Sequence, residues 1–254
     1  MSAEPAAAET RAILLDIEGT TTPISFVFDV LFPYVRSHLR AHLERHAGEP
    51  ALARLIDQLK TEHASDRAAD QPLPLWDDAT GEARLGSTAA YVAWLMDRDR
   101  KSTPLKELQG WIWEEGYRRG DLASDVFGDV PPALERWTAR GLGVAIFSSG
   151  SVRAQRLLFQ HAPAGDLGRF LSGYFDTTTG PKTDPASYRR IASAMTLQPS
   201  AIVFVSDVTK ELDAAREAGM QTRLAIRPGN AAQPPGHAHA ALRTFDELHV
   251  ARRT

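Results

Sequence analysis

The chain has no cysteine. Disulfide scaffolds, thiolate-bound zinc and cysteine nucleophiles are therefore excluded, and a cytoplasmic setting is expected. Long hydrophobic runs are also missing. The longest, AILL, VAIF and AIVFV, fall far short of the roughly 20 apolar residues a membrane span needs. The start, MSAEPAAAETR, has neither the basic nor the apolar region of a signal peptide. A soluble protein is expected, with no membrane partner. Charge of one sign is lacking too: 29 Lys and Arg stand against 32 Asp and Glu, a formal net charge of −3. That balance gives no footprint for a nucleic-acid backbone. Nothing marks an interface between subunits, so a monomer is the default.

What is present is enough for a core. With 254 residues, 43% of them apolar, the chain can form one large domain or a core plus an inserted subdomain. Three short apolar runs read as strands buried on both faces: Ala12 to Leu15, Gly143 to Phe147 and Ala201 to Val205. Helical patterns follow: Pro131 to Gly141, Ser151 to His161, and Thr209 to Ala218. Strands alternating with helices predict an α/β fold with a Rossmann-like parallel sheet. Between residues 22 and 125 no strand is evident. Helical patterns there cover Val30–His46, Ala51–Ala64, Ser87–Lys101 and Leu105–Arg118, with a loop from Gln71 to Gly86. An inserted all-helical cap, residues 22–125, is expected within a core of 1–21 plus 126–254.

Each strand-like run ends in polar residues. The clusters are Asp16-Ile17-Glu18-Gly19-Thr20, Ser148-Ser149-Gly150-Ser151 and Ser206-Asp207. Ligands of open α/β sheets bind outside the carboxyl ends of the strands, so the three predict one convergent site. Asp16 and Glu18, two apart in extended backbone, share a face, and Asp207 adds a third carboxylate. Such hard oxygens suit Mg²⁺, which takes one or two carboxylates together with substrate phosphate. The serines lie between a strand and a helix, where hydroxyls and free amides hold an anion; Ser149 or Ser151 also suits a helix cap. Lys182, in the loop before a helix opened by Asp184-Pro185, would neutralise charge and keep a carboxylate deprotonated. Glu211 and Asp213 suit the first turn of the following helix, with Glu211 behind the metal ligands.

These four pieces in this order resemble the haloacid-dehalogenase-like superfamily: Asp16, Ser148, Lys182 and Asp207 match its four motifs. The usual phosphatase motif is Asp-x-Asp-Gly-Thr, whereas the second acid here is Glu18. The stretch Asp16 to Ile24 followed by Phe26-Val27, then Phe147 to Val152 and Phe175 to Lys182, is similar to the enolase-phosphatase family of methionine salvage. That resemblance implies enolisation of 2,3-diketo-5-methylthiopentyl 1-phosphate and hydrolysis of the enol phosphate to the acireductone. It implies one Mg²⁺ per chain on Asp16, the backbone carbonyl of Glu18 and Asp207. Ser148, Ser149 and Lys182 would hold the substrate. Asp16 is expected to attack phosphorus while Glu18 moves protons. A dehalogenase or other phosphatase of the superfamily is the alternative, and a silent binding module a third; no motif residue is missing for the latter.

Other features read as structural. His38, His42 and His46 share one helix face and are expected to be solvated rather than to bind metal, and His237 and His239 likewise. Trp94, Trp111 and Trp113 are expected in a core. Phe26 or Phe28 is a candidate lining for the methylthio tail.

Overall fold

The computed structural model describes residues 9–69, 72–233 and 236–249. The readings at the first eight residues and at Gln71 lie outside the described residues. In chain order, β1 (Ala12–Leu15) is followed by a π-helical segment (Phe26–Leu31), then α1 (Phe32–Arg45), α2 (Pro50–Ala68), α3 (Gly81–Asp97) and α4 (Thr103–Arg119). After them come α5 (Val130–Ala139), β2 (Gly143–Phe147), α6 (Val152–Gln160), β3 (Gly173–Phe175) and α7 (Pro185–Ala194). The chain continues through β4 (Ile202–Ser206), α8 (Thr209–Glu217), β5 (Gln221–Ala225) and β6 (Ala240–Leu242). Two compact units result: Met1–Val27 with Ala123–Thr254, and Phe28–Leu122. Among the described residues, no helix is long and apolar enough to cross a membrane.

In the first unit six parallel strands form one sheet in the order β3-β2-β1-β4-β5-β6. The apolar runs become its centre because both faces are covered. Ala12, Leu14, Phe147 and Phe204 pack with Tyr188 and Ile191 of α7 and Leu212 of α8, all buried. The chain leaves β1 toward β2 and β3, then returns to lay β4 on the other side of β1. The topological switch, where such sheets open a crevice, therefore falls between β1 and β4. β3, β5 and β6 are short strands toward the edges that stood out less in sequence: two are three residues long, and β5, QTRLA, is interrupted by polar side chains.

The second unit is helical. α3 begins at Gly81, six residues before the expected Ser87, because Thr80 caps it: its hydroxyl accepts from Ala83 N at 3.0 Å. It ends at Asp97, and Asp99 turns the chain with φ 46°. Ser102 caps α4 in the same way. Trp94 and Trp113 are buried as expected, but Trp111 is only half-buried. The solvated expectation is corrected for His42, His46 and His239, while His237 is exposed as expected. His42 is buried and His46 half-buried, because their helix face turns toward α4 rather than to water. His239 is buried as well, held between Thr222 Oγ1 at 2.8 Å and Asp213.

Candidate active site

The backbone first fixes Asp16. Its N–H donates to Val205 O at 3.0 Å, carrying the β1–β4 pairing one residue past the strand. The chain then closes a tight loop, in which Thr20, Thr21 and Thr22 all donate N–H groups to Ile17 O at 2.9 to 3.1 Å. Gly19 makes this loop possible. Its φ is +68°, and a Cβ there would press on Asp207 Oδ2 and lie 2.8 Å from Asn230 Oδ1. The loop is also gripped from outside: Arg227, buried, donates through Nε to Thr20 O at 3.1 Å and pairs with Asp129.

Around Asp16 the charges gather. Lys182 Nζ lies 2.6 Å from Asp16 Oδ1 and 2.7 Å from Glu211 Oε2. Ile17 N also donates to Asp16 Oδ1, at 2.8 Å. The Ser206 hydroxyl sits between Asp16 Oδ2 (3.3 Å) and Glu211 Oε2 (3.0 Å). Lys182 is brought in by its own loop, since Tyr188 OH donates to Lys182 O and Ser187 Oγ to Pro181 O. Asp184 caps α7 just beyond, through Ala186 N. At the end of β2, Ser148 is buried and its hydroxyl accepts from Gly150 N at 3.2 Å; Ser151, not Ser149, caps α6.

Two carboxylates, Asp16 and Glu211, thus share one ammonium, and the buried carboxylate of Asp207 follows the end of the neighbouring strand. Burial pushes Asp207 up to about 7, and the Asp16 charge adds to it. Burial and Asp16 do the same to Glu211, also to about 7. Burial alone would lower Lys182, but Asp16 and Glu211 outweigh it and hold the ammonium above its usual range. With all three acids ionised the group carries two uncompensated negative charges. Protons or a divalent cation must meet that excess. A hard cation therefore suits the donor set. Asn230 adds a buried acceptor: its Nδ2 is spent on Gly19 O and Ala225 O, which leaves Oδ1 without a hydrogen-bond donor.

Of the expected residues, the structure joins Asp16 and Lys182 directly and sets Asp207 on the neighbouring strand end. Glu18 is half-buried on the same loop. The side chains of Asp16, Glu18 and Asp207 do not converge as a three-carboxylate cluster among the described residues. Glu211 sits closer to the centre than its expected place behind the ligands. Helix α8 begins two residues after Asp207 and turns Glu211 back onto Lys182. Arg227 and Asn230 were not singled out in sequence. Both follow β5, and recognising that strand would have marked its carboxyl end as part of the crevice.

The description "haloacid dehalogenase-like hydrolase" belongs to a family model that matches residues 10–219. "Enolase-phosphatase E1" of Synechococcus elongatus is 49% identical over 96% of this chain and 100% of its own length. A "Probable bifunctional methylthioribulose-1-phosphate dehydratase/enolase-phosphatase E1" of Sorghum bicolor is 43% identical over 96% of this chain and 48% of its own. Among solved structures, the UTR4 protein of Saccharomyces cerevisiae superposes with a TM-score of 0.77 at 33% identity, covering 94% of this chain and all of that one. The chain belongs to the haloacid dehalogenase-like hydrolases and, within them, to the enolase-phosphatases.

Proposed function

We propose that this chain converts 2,3-diketo-5-methylthiopentyl 1-phosphate, through its enol phosphate, to the acireductone and phosphate in methionine salvage. The observation that carries the reading is the Asp16–Lys182–Glu211 cluster at the β1–β4 switch point, with Glu18 two residues from Asp16. The relatives named for this activity support it along nearly the full chain. We assign the helical unit the role of cap, and take the protein to be a cytoplasmic monomer.

The cation would be Mg²⁺, and Asp16, the backbone carbonyl of Glu18 and Asp207 would hold it. When bound, it stabilises negative charge on the enolate and phosphoryl oxygens. The residues do the rest. In the first step a proton leaves the carbon bearing phosphate, the electron pair forms a C=C bond, and the neighbouring carbonyl oxygen takes up a proton. Glu18 carries protons here, with a reach about one methylene longer than Asp. In the second step an Asp16 carboxylate oxygen attacks phosphorus while the bond from phosphorus to the enediol oxygen breaks, and that oxygen takes a proton from Glu18. Water then attacks the phosphorus, releasing phosphate and freeing Asp16, and gives its proton to Glu18. Lys182 orients Asp16 and offsets charge on the phosphoryl group, alongside Ser148 and Ser149.

The test supplies the diketo phosphate with Mg²⁺ and follows enol absorbance and free phosphate together. Enol formation followed by phosphate release is expected, with phosphate release lost in Asp16→Asn. Phosphate freed from simple esters with no enol formed from the diketone would make the chain a general phosphatase of the family. Normal phosphate release by Asp16→Asn would remove the nucleophile.

A further inference from the structure

The histidines of α1 form a second cluster within the helical unit. His42 and His46 stand one turn apart, with ring centroids separated by 4.5 Å. Glu115 of α4 turns one oxygen, Oε1, toward both: it is 2.6 Å from His46 Nε2 and 3.3 Å from His42 Nδ1. The other oxygen, Oε2, is occupied by Arg45 at 2.6 Å and Arg119 at 3.3 Å. On the far side of His46, Nδ1 lies 2.6 Å from Glu49 Oε1. One donor atom from each of His42, His46 and Glu115 can be chosen so that all lie within 4.8 Å of one another.

We propose that His42, His46 and Glu115 bind a divalent transition-metal ion of the Zn²⁺ class, clipping the end of α1 to α4. Three observations converge on it. First, His42 is 3% exposed, its Nε2 has no hydrogen-bond partner, and its Nδ1 has only the 3.3 Å contact with Glu115 Oε1. A buried imidazole left so is unfavourable, and a cation coordinated by Nδ1 would give that nitrogen a strong partner. Second, Glu49 stands where the outer carboxylate of a metal-bound imidazole stands, on the nitrogen opposite the ligating one. Third, Arg45 and Arg119 both pair with Oε2 of Glu115, which leaves Oε1 turned toward the rings.

The plain alternative is an ion-pair network, with His46 protonated between Glu49 and Glu115. That arrangement satisfies His46 and Glu115 but gives His42 only a longer contact, 3.3 Å, with an oxygen already held by His46, so it accounts for only part of the cluster. Two imidazoles and one carboxylate suit Zn²⁺ rather than Mg²⁺, and leave a fourth position for water. Tetrahedral donors about 2.0–2.1 Å from zinc stand about 3.3 Å apart. The His42–Glu115 separation already has that value, and His46 need only move back from the contact its proton now makes. The nearby arginines oppose a cation, so affinity in the micromolar range is expected.

The experiment titrates ZnCl₂ into the full chain in millimolar Mg²⁺, which saturates the oxygen site, against a chromophoric chelator. One Zn²⁺ per chain is expected, with unchanged uptake in Asp16→Asn and at least tenfold weaker binding in His46→Gln and Glu115→Gln. Uptake as tight in those two variants as in the parent, or lost in Asp16→Asn, would overturn the site. X-ray absorption of the zinc-loaded parent protein decides independently of whether a variant folds. Two imidazoles in the first shell are expected, and an oxygen-only shell would refute the assignment.

Discussion

The ammonium of Lys182 and the carboxylate of Asp16, 166 positions apart in sequence, lie 2.6 Å from each other in the protein interior. A buried pair adds little net stability when both partners are present, yet removing one leaves a charge without compensation. Lys182→Met therefore leaves Asp16 and Glu211 facing each other. Phosphate release should fall about 10²–10³-fold, as for other losses of fixed electrostatic stabilisation. Unfolding free energy at pH 8 should drop by about 3–5 kcal/mol. The drop should be smaller at pH 5.5, where Glu211 takes up a proton instead. Denaturant unfolding at the two pH values measures both; equal losses would mean that the lysine does not compensate these carboxylates.

Asp207 and Glu211 are both held near 7, above their ordinary values of 3.8 and 4.5. A raised acid binds its proton more tightly folded than unfolded, so its stabilising effect is complete below the unfolded value and lost as pH climbs through the folded one. Without divalent cation, stability contributed by these two groups should decline from about pH 4 to pH 7. Mg²⁺ selects the ionised form and reverses the trend. The rise in Tm on adding Mg²⁺ should grow from pH 5 to pH 8. Thermal unfolding in EDTA and in Mg²⁺ across that range checks it, and a Mg²⁺ effect that shrinks with pH would place the cation elsewhere.

Gly19 combines a left-handed backbone with a close approach to Asp207 and Asn230. Gly19→Ala should lower stability by about 1–3 kcal/mol through backbone strain alone. It should also displace Asp207, so Mg²⁺ affinity falls together with turnover. Equilibrium unfolding and Mg²⁺ titration of the variant separate the two effects.

Much of this was legible in sequence where burial is continuous. AILL, GVAIF and IVFVS have apolar runs long enough to announce central strands, and each ends at a site residue. β3 and β6 were not, because three residues carry no period, and the residues after β5 were missed with it. Arg227 and Asn230 owe their roles to tertiary position: one grips the Thr20 carbonyl and the other the Gly19 carbonyl, across more than 200 residues. His42 shows the opposite limit. Its helical spacing was plain, but which face of α1 meets α4 depends on packing that a lone helix pattern does not specify.

Glu18 separates this chain from the Asp-x-Asp pattern of ordinary phosphatases in its family, and Glu18→Asp asks what the extra methylene does. If Glu18 serves a carbon acid as well as a leaving oxygen, the shorter side chain should keep one task and fail the other. Hydrolysis of p-nitrophenyl phosphate should stay within about tenfold of the parent, because an aspartate there still exchanges a proton with a leaving oxygen. Enol formation from the diketo phosphate should fall about 10²-fold, the lower end of what a positioned proton carrier contributes. Glu18→Gln, which cannot exchange a proton, should lose both. Stopped-flow absorbance resolves the enol and a phosphate assay the ester. Equal losses in Glu18→Asp would mean that the residue acts only at the leaving oxygen and that another group takes the proton from carbon.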